Sequence, residues 1–420
     1  MTCTYENDGI GFAQIGGRSV GEQSRSVENG GMGRTLKGLA WDHRRCWGPL
    51  DASIPGYVAT RADLTIRWER RSLYEFGEGR LEDVVRDYDL ILLDHPFIGD
   101  VARDGLLVPL DGYLNDAARQ VFAAQSVGKS FASYQANGRQ WALPIDAAAQ
   151  VAAYRPDLLA DLAVEVPRSH EAAVALGHKA RAHRKWLGLP LVPTDAMCLI
   201  LTGAAIAGHP IGDVDDPFLG ESALTEVLER LRELAALAHP GSWSWNPIRC
   251  YDHMIAHDDV VYVPFAFGYV NYASRGEAPY LRFADIPASP PTGSLLGGAG
   301  IGISAFSNEG DAAAEYALYL CSPEFQRGGY IAAGGQPGML SAWMDETANR
   351  ATRSFFRDTL ATLQGAYLRG TYPGFVGFYR ACAPKAAAAI RGELSARDLA
   401  SWLNRKHAEV SRSALDRSYA

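Results

Sequence analysis

Tyr88-Asp89-Leu90-Ile91-Leu92-Leu93-Asp94-His95-Pro96 is the stretch that decides the fold class. A continuous apolar run this short, bounded by acidic residues and closed by a proline, reads as a strand buried on both faces. Strands of that kind belong to parallel sheets covered by helices on either side. Working outward, Thr35–Trp41 (TLKGLAW) and Asp63–Glu69 (DLTIRWE) read as two further strands. A helix is expected between them from about Pro49 to Thr60, and an amphipathic segment over Leu81–Tyr88. In such sheets ligands sit beyond the carboxyl ends of the strands. Asp42-His43 and Asp94-His95 both fall at that position.

Downstream, Trp141–Tyr154 (WALPIDAAAQVAAY) is extended through Pro144, and Arg155-Pro156-Asp157 opens a helix. Helical periodicity follows over Ser169–Arg184, Ala196–Ala207 and Glu221–Ala238. Asp259–Ala266 reads as a strand that leads into an aromatic cluster of Phe265, Phe267, Tyr269 and Tyr272. Gly297–Gly302 follows a short strand over Leu281–Ile286. It lacks the Lys-Ser/Thr ending of a phosphate-binding loop, so its glycines are read as allowing close backbone approach inside a strand. No internal repeat or low-complexity linker divides the chain.

At 420 residues the chain is too long for one simple core, and two lobes are expected. Apolar residues make up 47% and charged ones 21%, as in ordinary globular proteins. A formal charge of −8, with arginines scattered along the chain, provides no basic field for nucleic acid. No stretch approaches the about 20 apolar residues of a spanning helix. The six cysteines are far apart and show no metal-finger spacing, which predicts reduced thiols. Residues 1–33 are rich in Gly, Ser and Glu and read as a disordered extension without the apolar core of an export signal. As it stands the sequence therefore predicts a cytoplasmic protein, or a periplasmic one if translation starts elsewhere.

The order of these motifs resembles the family 1 extracellular solute-binding proteins of ABC importers, with the maltose-binding type of fold. The resemblance runs from roughly Thr35 to Ala400. It is carried by Gly38–His43, by Tyr88–Asp94 followed by Gly105–Asp111, by Ala142–Asp146 leading to Tyr154–Leu158, by Gly297–Ile303, and by Ser322–Gln326. It implies an α/β protein of two lobes, each a mainly parallel sheet flanked by helices. Lobe 1 would comprise 34–145 with 283–345, and lobe 2 would comprise 146–282 with 346–420. A small organic ligand would be enclosed between them by hinge closure. No cofactor is implied, and an ABC permease would be the partner of an exported protein.

Within that frame, flat rings and polar edges at strand ends are the expected ligand contacts. The candidates are Trp41, Asp42, His43, Arg44, Asp94, His95, Phe97, Asp146, Phe267, Tyr269, Asn271 and Tyr272. Arg44 and Arg45 offer positive charge for an acidic ligand, and Pro193-Thr194-Asp195 offers a helix start that is either a ligand contact or a plain cap. A second function class, a cytosolic enzyme reusing the cleft, would draw on Asp42, His43, Cys46, Asp94 and His95. Cys46 follows three basic residues and precedes a helix, a setting that makes a thiolate. The two Asp-His pairs would serve as acid–base groups or, less simply, as metal ligands.

Overall fold

The computed structural model describes residues 33–211 and 217–418, so the N-terminal extension, Gly33 apart, lies outside the described residues. Among the described residues there are ten strands: β1 (Arg34–Trp41), β2 (Leu64–Arg71), β3 (Leu90–Leu93), β4 (Gln135–Ala136), β5 (Arg139–Gln140), β6 (Leu143–Tyr154), β7 (Trp186–Leu187), β8 (Val260–Phe267), β9 (Arg282–Ala284) and β10 (Leu296–Ile303). β4 and β5 form a small hairpin; the others make one sheet in the order β2-β1-β3-β10-β6-β8-β7, with β9 also paired to β6. β1 is parallel to both β2 and β3, as strand–helix–strand connections require. β10 runs antiparallel to β3 and to the first half of β6, while β8 and β9 are antiparallel to its second half. The sheet as a whole is therefore mixed.

All twelve residues of β6 are buried, which explains why it reads as an apolar run with no alternation. Its one sequence anomaly, Pro144, lies beside a bulge where the β10 partner shifts between Ala299 and Gly300. A proline cannot donate to the ladder, and a bulge is where a strand tolerates that loss. β6 joins the two ends of the sheet: its first half pairs with β10, which leads on to β3, β1 and β2, and its second half pairs with β8 and β9.

Helices cover both faces. Pro193–Ile206 is apolar on nearly every side and packs against Glu221–Leu237 and Phe375–Arg391, which removes it from water all round. Glu221–Leu237 buries Leu224, Val227, Leu228, Leu231 and Leu234 at helical spacing. Two elements differ from expectation. The first helix begins at Arg44, five residues before Pro49, because His43 caps it: the Arg45 N–H donates to His43 Nδ1 at 3.1 Å. Leu81–Tyr88 forms two short 3₁₀ turns, yet Leu81 and Val85 still face the core.

Candidate functional site

A cleft of about 230 Å³ opens beside the middle of β6, at Ala148. Trp41 at the end of β1, Asp94 after β3 and Phe267 at the end of β8 bring three carboxyl ends to it. β10 runs the other way and contributes its amino end, Gly297 and Gly298. Gly298 has φ +119°, and a Cβ there would lie 2.3 Å from the Asp146 carbonyl oxygen, so only glycine fits. At Gly297 a Cβ would strike the Phe267 ring at 2.6 Å, so the bare strand keeps that ring in place.

The rest of the wall comes from helix ends. Tyr74, Phe76 and Glu78 lie on the helix Leu73–Glu78; Thr194, Asp195 and Cys198 lie on the first turns of Pro193–Ile206; and Tyr379 lies on Phe375–Arg391. Asn246 caps the helix Pro247–Ala256 through its Oδ1 and also lines the cleft. Trp41 and Phe76 pack with centroids 4.7 Å apart, and the Arg45 guanidinium lies 4.6 Å from the Tyr269 ring centroid.

The charges form a graded set. Arg45 donates to both carboxylate oxygens of Asp146, at 2.8 and 2.5 Å, and to the Gly268 carbonyl at 2.8 Å. Burial alone would weaken this cation, but the Asp146 carboxylate beside it holds its pKa above the ordinary arginine value. Burial likewise works against ionised Asp94, yet Arg369, donating at 2.6 Å, and His95 keep its pKa well below the usual carboxylate range. Asp195 shows the opposite outcome. Burial and the nearby Glu78 carboxylate push it up to about 7. Glu78 accepts a hydrogen bond from the Thr194 hydroxyl.

Of the residues expected from sequence, Trp41, Asp94, Phe267 and Tyr269 are on the cleft wall. The others lie elsewhere, each for a physical reason. Asp42 and Arg44 point to solvent on either side of the helix cap. His43 is occupied as that cap and packs edge-on against Tyr269, 4.8 Å between centroids. Asp146 lies under the wall, covered by Arg45. His95 is fully buried with Nδ1 3.1 Å from Asp94, and Phe97 fills a core cluster with Leu93 and Ile98. Asn271 donates to the Gly334 carbonyl at 3.0 Å. A helical turn at Val270–Ala273 rotates Tyr272 into the core, where its hydroxyl donates to Asp252 at 2.7 Å.

The nucleophile reading of Cys46 is corrected. The helix already starts at Arg44, so Cys46 lies inside it and is buried; burial pushes the thiol well above its ordinary value. Burial and Arg45 likewise push His43 down to about 4, leaving it neutral. The two Asp-His pairs do not converge. Among the described residues, the only metal-like cluster of three is His239, His253 and Asp259, and none of these lines the cleft.

Arg45 and Thr194-Asp195, noted from the sequence as a positive charge and a helix start, are also on the wall, while Glu78, Arg369 and Tyr379 are wall residues that sequence reasoning did not single out. Thr194-Asp195 had the clearest signal, a carboxylate at the start of an otherwise apolar helix. Arg369 carried none, because its partner Asp94 is 275 residues away.

A two-lobed α/β molecule with a ring-walled cleft at the crossing of its sheet has the architecture of a binding protein. A family model for bacterial extracellular solute-binding proteins matches residues 82–352, and the chain belongs to that family. The maltose-bound MalE3 of T. maritima has the same fold, with TM-score 0.74 and 18% identity over 89% of this chain and 98% of that one. The GacH receptor of Streptomyces glaucescens, solved unliganded and with acarbose, gives 0.73 and 17% over 90% and 98%. An ABC transporter solute-binding protein from Agrobacterium radiobacter K84 in complex with ribitol gives 0.70 and 17% over 90% and 98%. No curated sequence matches the chain. Among the described residues, no helix is long and apolar enough to cross a membrane.

Proposed function

We propose that the cleft captures a compact, hydroxyl-rich molecule of the sugar or polyol class. In this reading lobe 1 (34–145 with 283–345) and lobe 2 (146–282 with 346–420) close over it about the strand crossings. The observation that carries the reading is the wall itself. Trp41, Phe76, Phe267, Tyr269 and Tyr379 offer flat apolar faces, and carboxyl, hydroxyl and amide edges stand between them. Rings bury the C–H faces of a polyol at little entropic cost, and the polar edges orient its hydroxyls. A volume of about 230 Å³ suits a compact ligand. The similar structures solved with maltose and with ribitol are in keeping with this class.

The same reading gives the protein an ABC permease as its partner and a place outside the cytoplasm, in keeping with the extracellular family. The direct test is a thermal-shift screen of sugars and polyols, followed by calorimetry and mass analysis of each hit. A stoichiometric ligand recovered unchanged supports capture. A ligand returned chemically altered would overturn it in favour of an enzyme, and no response across the panel would overturn the ligand class. Fractionation of cells that express the full-length protein tests the compartment.

A further inference from the structure

The cleft leaves one buried acid without a partner. Asp195 is 8% exposed and lines the cavity. Among the described residues no hydrogen-bond donor or cation meets its carboxyl group. Every arginine near it is already matched: Arg45 by Asp146, Arg369 by Asp94, and Arg380 by Glu78, whose carbonyl it also contacts. No lysine or histidine lines the cleft. A carboxylate taken out of water needs a hydrogen-bonded counter-charge or must stay protonated. Asp195 takes the second course: burial and the Glu78 carboxylate push it up to about 7.

We propose that the cleft is built for a ligand bearing a protonated amine, an amino sugar or amino polyol, whose ammonium sits against the Asp195 carboxylate with Glu78 behind it. The inference rests on the ligand-capture reading above and narrows its substrate class. An ammonium supplies the missing donors together with the missing charge, whereas a hydroxyl supplies a donor alone. The surrounding ring faces of Trp41, Phe76, Phe267 and Tyr269 also favour a cation over a neutral group.

Binding then makes Asp195 give up its proton. The titratable groups around Asp195 are Glu78, Asp94, Arg45, Arg369, Cys198, Cys250, Tyr251, Tyr269 and Tyr379. Burial pushes the two thiols and the three phenols up, to about 12 for Cys198 and Tyr269, so they stay neutral at pH 7, and Arg45 is held by Asp146. Asp94 is locked to Arg369 and stays ionised. Affinity for the amine therefore rises as pH climbs through about 7. It falls again where a primary alkylamine loses its own proton, roughly near 10 by analogy with lysine.

The experiment compares matched pairs on the full chain by calorimetry between pH 6 and pH 9: sorbitol against 1-amino-1-deoxysorbitol, and glucose against 6-amino-6-deoxyglucose. The expected result is amine binding about tenfold or more tighter at pH 8, an amine-specific loss toward pH 6, and proton release into the buffer at pH 7. Asp195→Asn should bring the amine-to-neutral ratio to about one, while Asp195→Glu retains a preference. Equal affinity within both wild-type pairs, or a preference untouched in Asp195→Asn, would overturn the inference and leave ligand capture standing. No binding by any of the four compounds would count against the capture reading as well. The wild-type comparison stands even if a variant fails to fold.

Discussion

Arg45 and Asp146, 101 residues apart in the chain, meet in a doubly hydrogen-bonded ion pair beneath the cleft wall. Arg45 lies in the first turn of the first helix and Asp146 lies on β6, so the pair ties the cleft wall to the central strand of the sheet. Both side chains are almost wholly buried, 5% and 0% exposed. Such a pair is costly to break one partner at a time, because the survivor is left charged in a low dielectric. Arg45→Met should therefore destabilise the protein by about 3–5 kcal/mol. Arg45→Met combined with Asp146→Leu should lose less than the sum of the single changes, and equilibrium urea unfolding of all three variants measures the difference.

The histidine that caps the same helix makes stability depend on pH. His43 is lowered from 6.5 to about 4 in the folded chain, first by burial and then by Arg45. A depressed value means that the unfolded chain binds the proton more readily. The contribution is thus complete above pH 6.5 and is lost as pH falls toward 4. Its size is on the order of 1–3 kcal/mol. His43→Asn keeps a capping side chain without the titration, so it should flatten the stability curve across that window. Thermal unfolding of both proteins in steps from pH 7 to pH 4 reads the change, and parallel curves would remove His43 as its source.

Most of the strand framework was legible because buried strands write themselves as short apolar runs, as at Leu90–Leu93 and Val260–Phe267. The cleft was legible chiefly where it is made of strand ends, which is why Trp41, Asp94, Phe267 and Tyr269 came into view, and at the helix starts of Arg45 and Thr194-Asp195. Direction was harder to see. Asp94 and His95 are adjacent, yet one carboxylate oxygen reaches Arg369 while the imidazole is sealed inside. Tyr269 and Tyr272 look equivalent in sequence, but one short helical turn separates wall from core. Glu78, Arg369 and Tyr379 arrive on helices and loops remote in sequence, where no local pattern points to a cleft.

Burial of Cys46 sets its reactivity. A thiol 2% exposed and pushed well above its ordinary pKa has neither access nor thiolate. Iodoacetamide should leave Cys46 unmodified in the native protein and alkylate it in denaturant, as peptide mass mapping would show. Alkylation of Cys46 in the native state at neutral pH would restore the nucleophile reading.

Gly298 carries both a left-handed backbone and a steric demand. Gly298→Ala puts a Cβ against the Asp146 carbonyl at φ +119°, and no flexible side chain is there to yield. A loss of at least about 2 kcal/mol is expected, together with weaker ligand binding because the adjacent wall shifts. Gly105 also has positive φ, at +61°, but open space around it. Gly105→Ala should cost only about 1 kcal/mol, and comparing the two unfolding curves separates strain from collision.

The placement of the cleft makes opposite predictions for two residues that the sequence treats alike. Tyr269 forms part of the wall and is packed between His43 and Arg45, whereas Asp42 faces solvent. For any sugar or polyol that raises the unfolding temperature, Tyr269→Ala should lower affinity by about tenfold or more, since an aromatic contact in a desolvated site is worth roughly 1.5 kcal/mol or more. Tyr269→Phe keeps the ring face and should recover most of that affinity, which separates stacking from any role of the hydroxyl. Asp42→Ala should stay within about twofold of the parent protein, as surface positions usually do. Calorimetric titration of the three variants decides the matter. If Asp42→Ala loses affinity while Tyr269→Ala keeps it, the ligand lies on the outer loop and the ring-walled cavity is not its site.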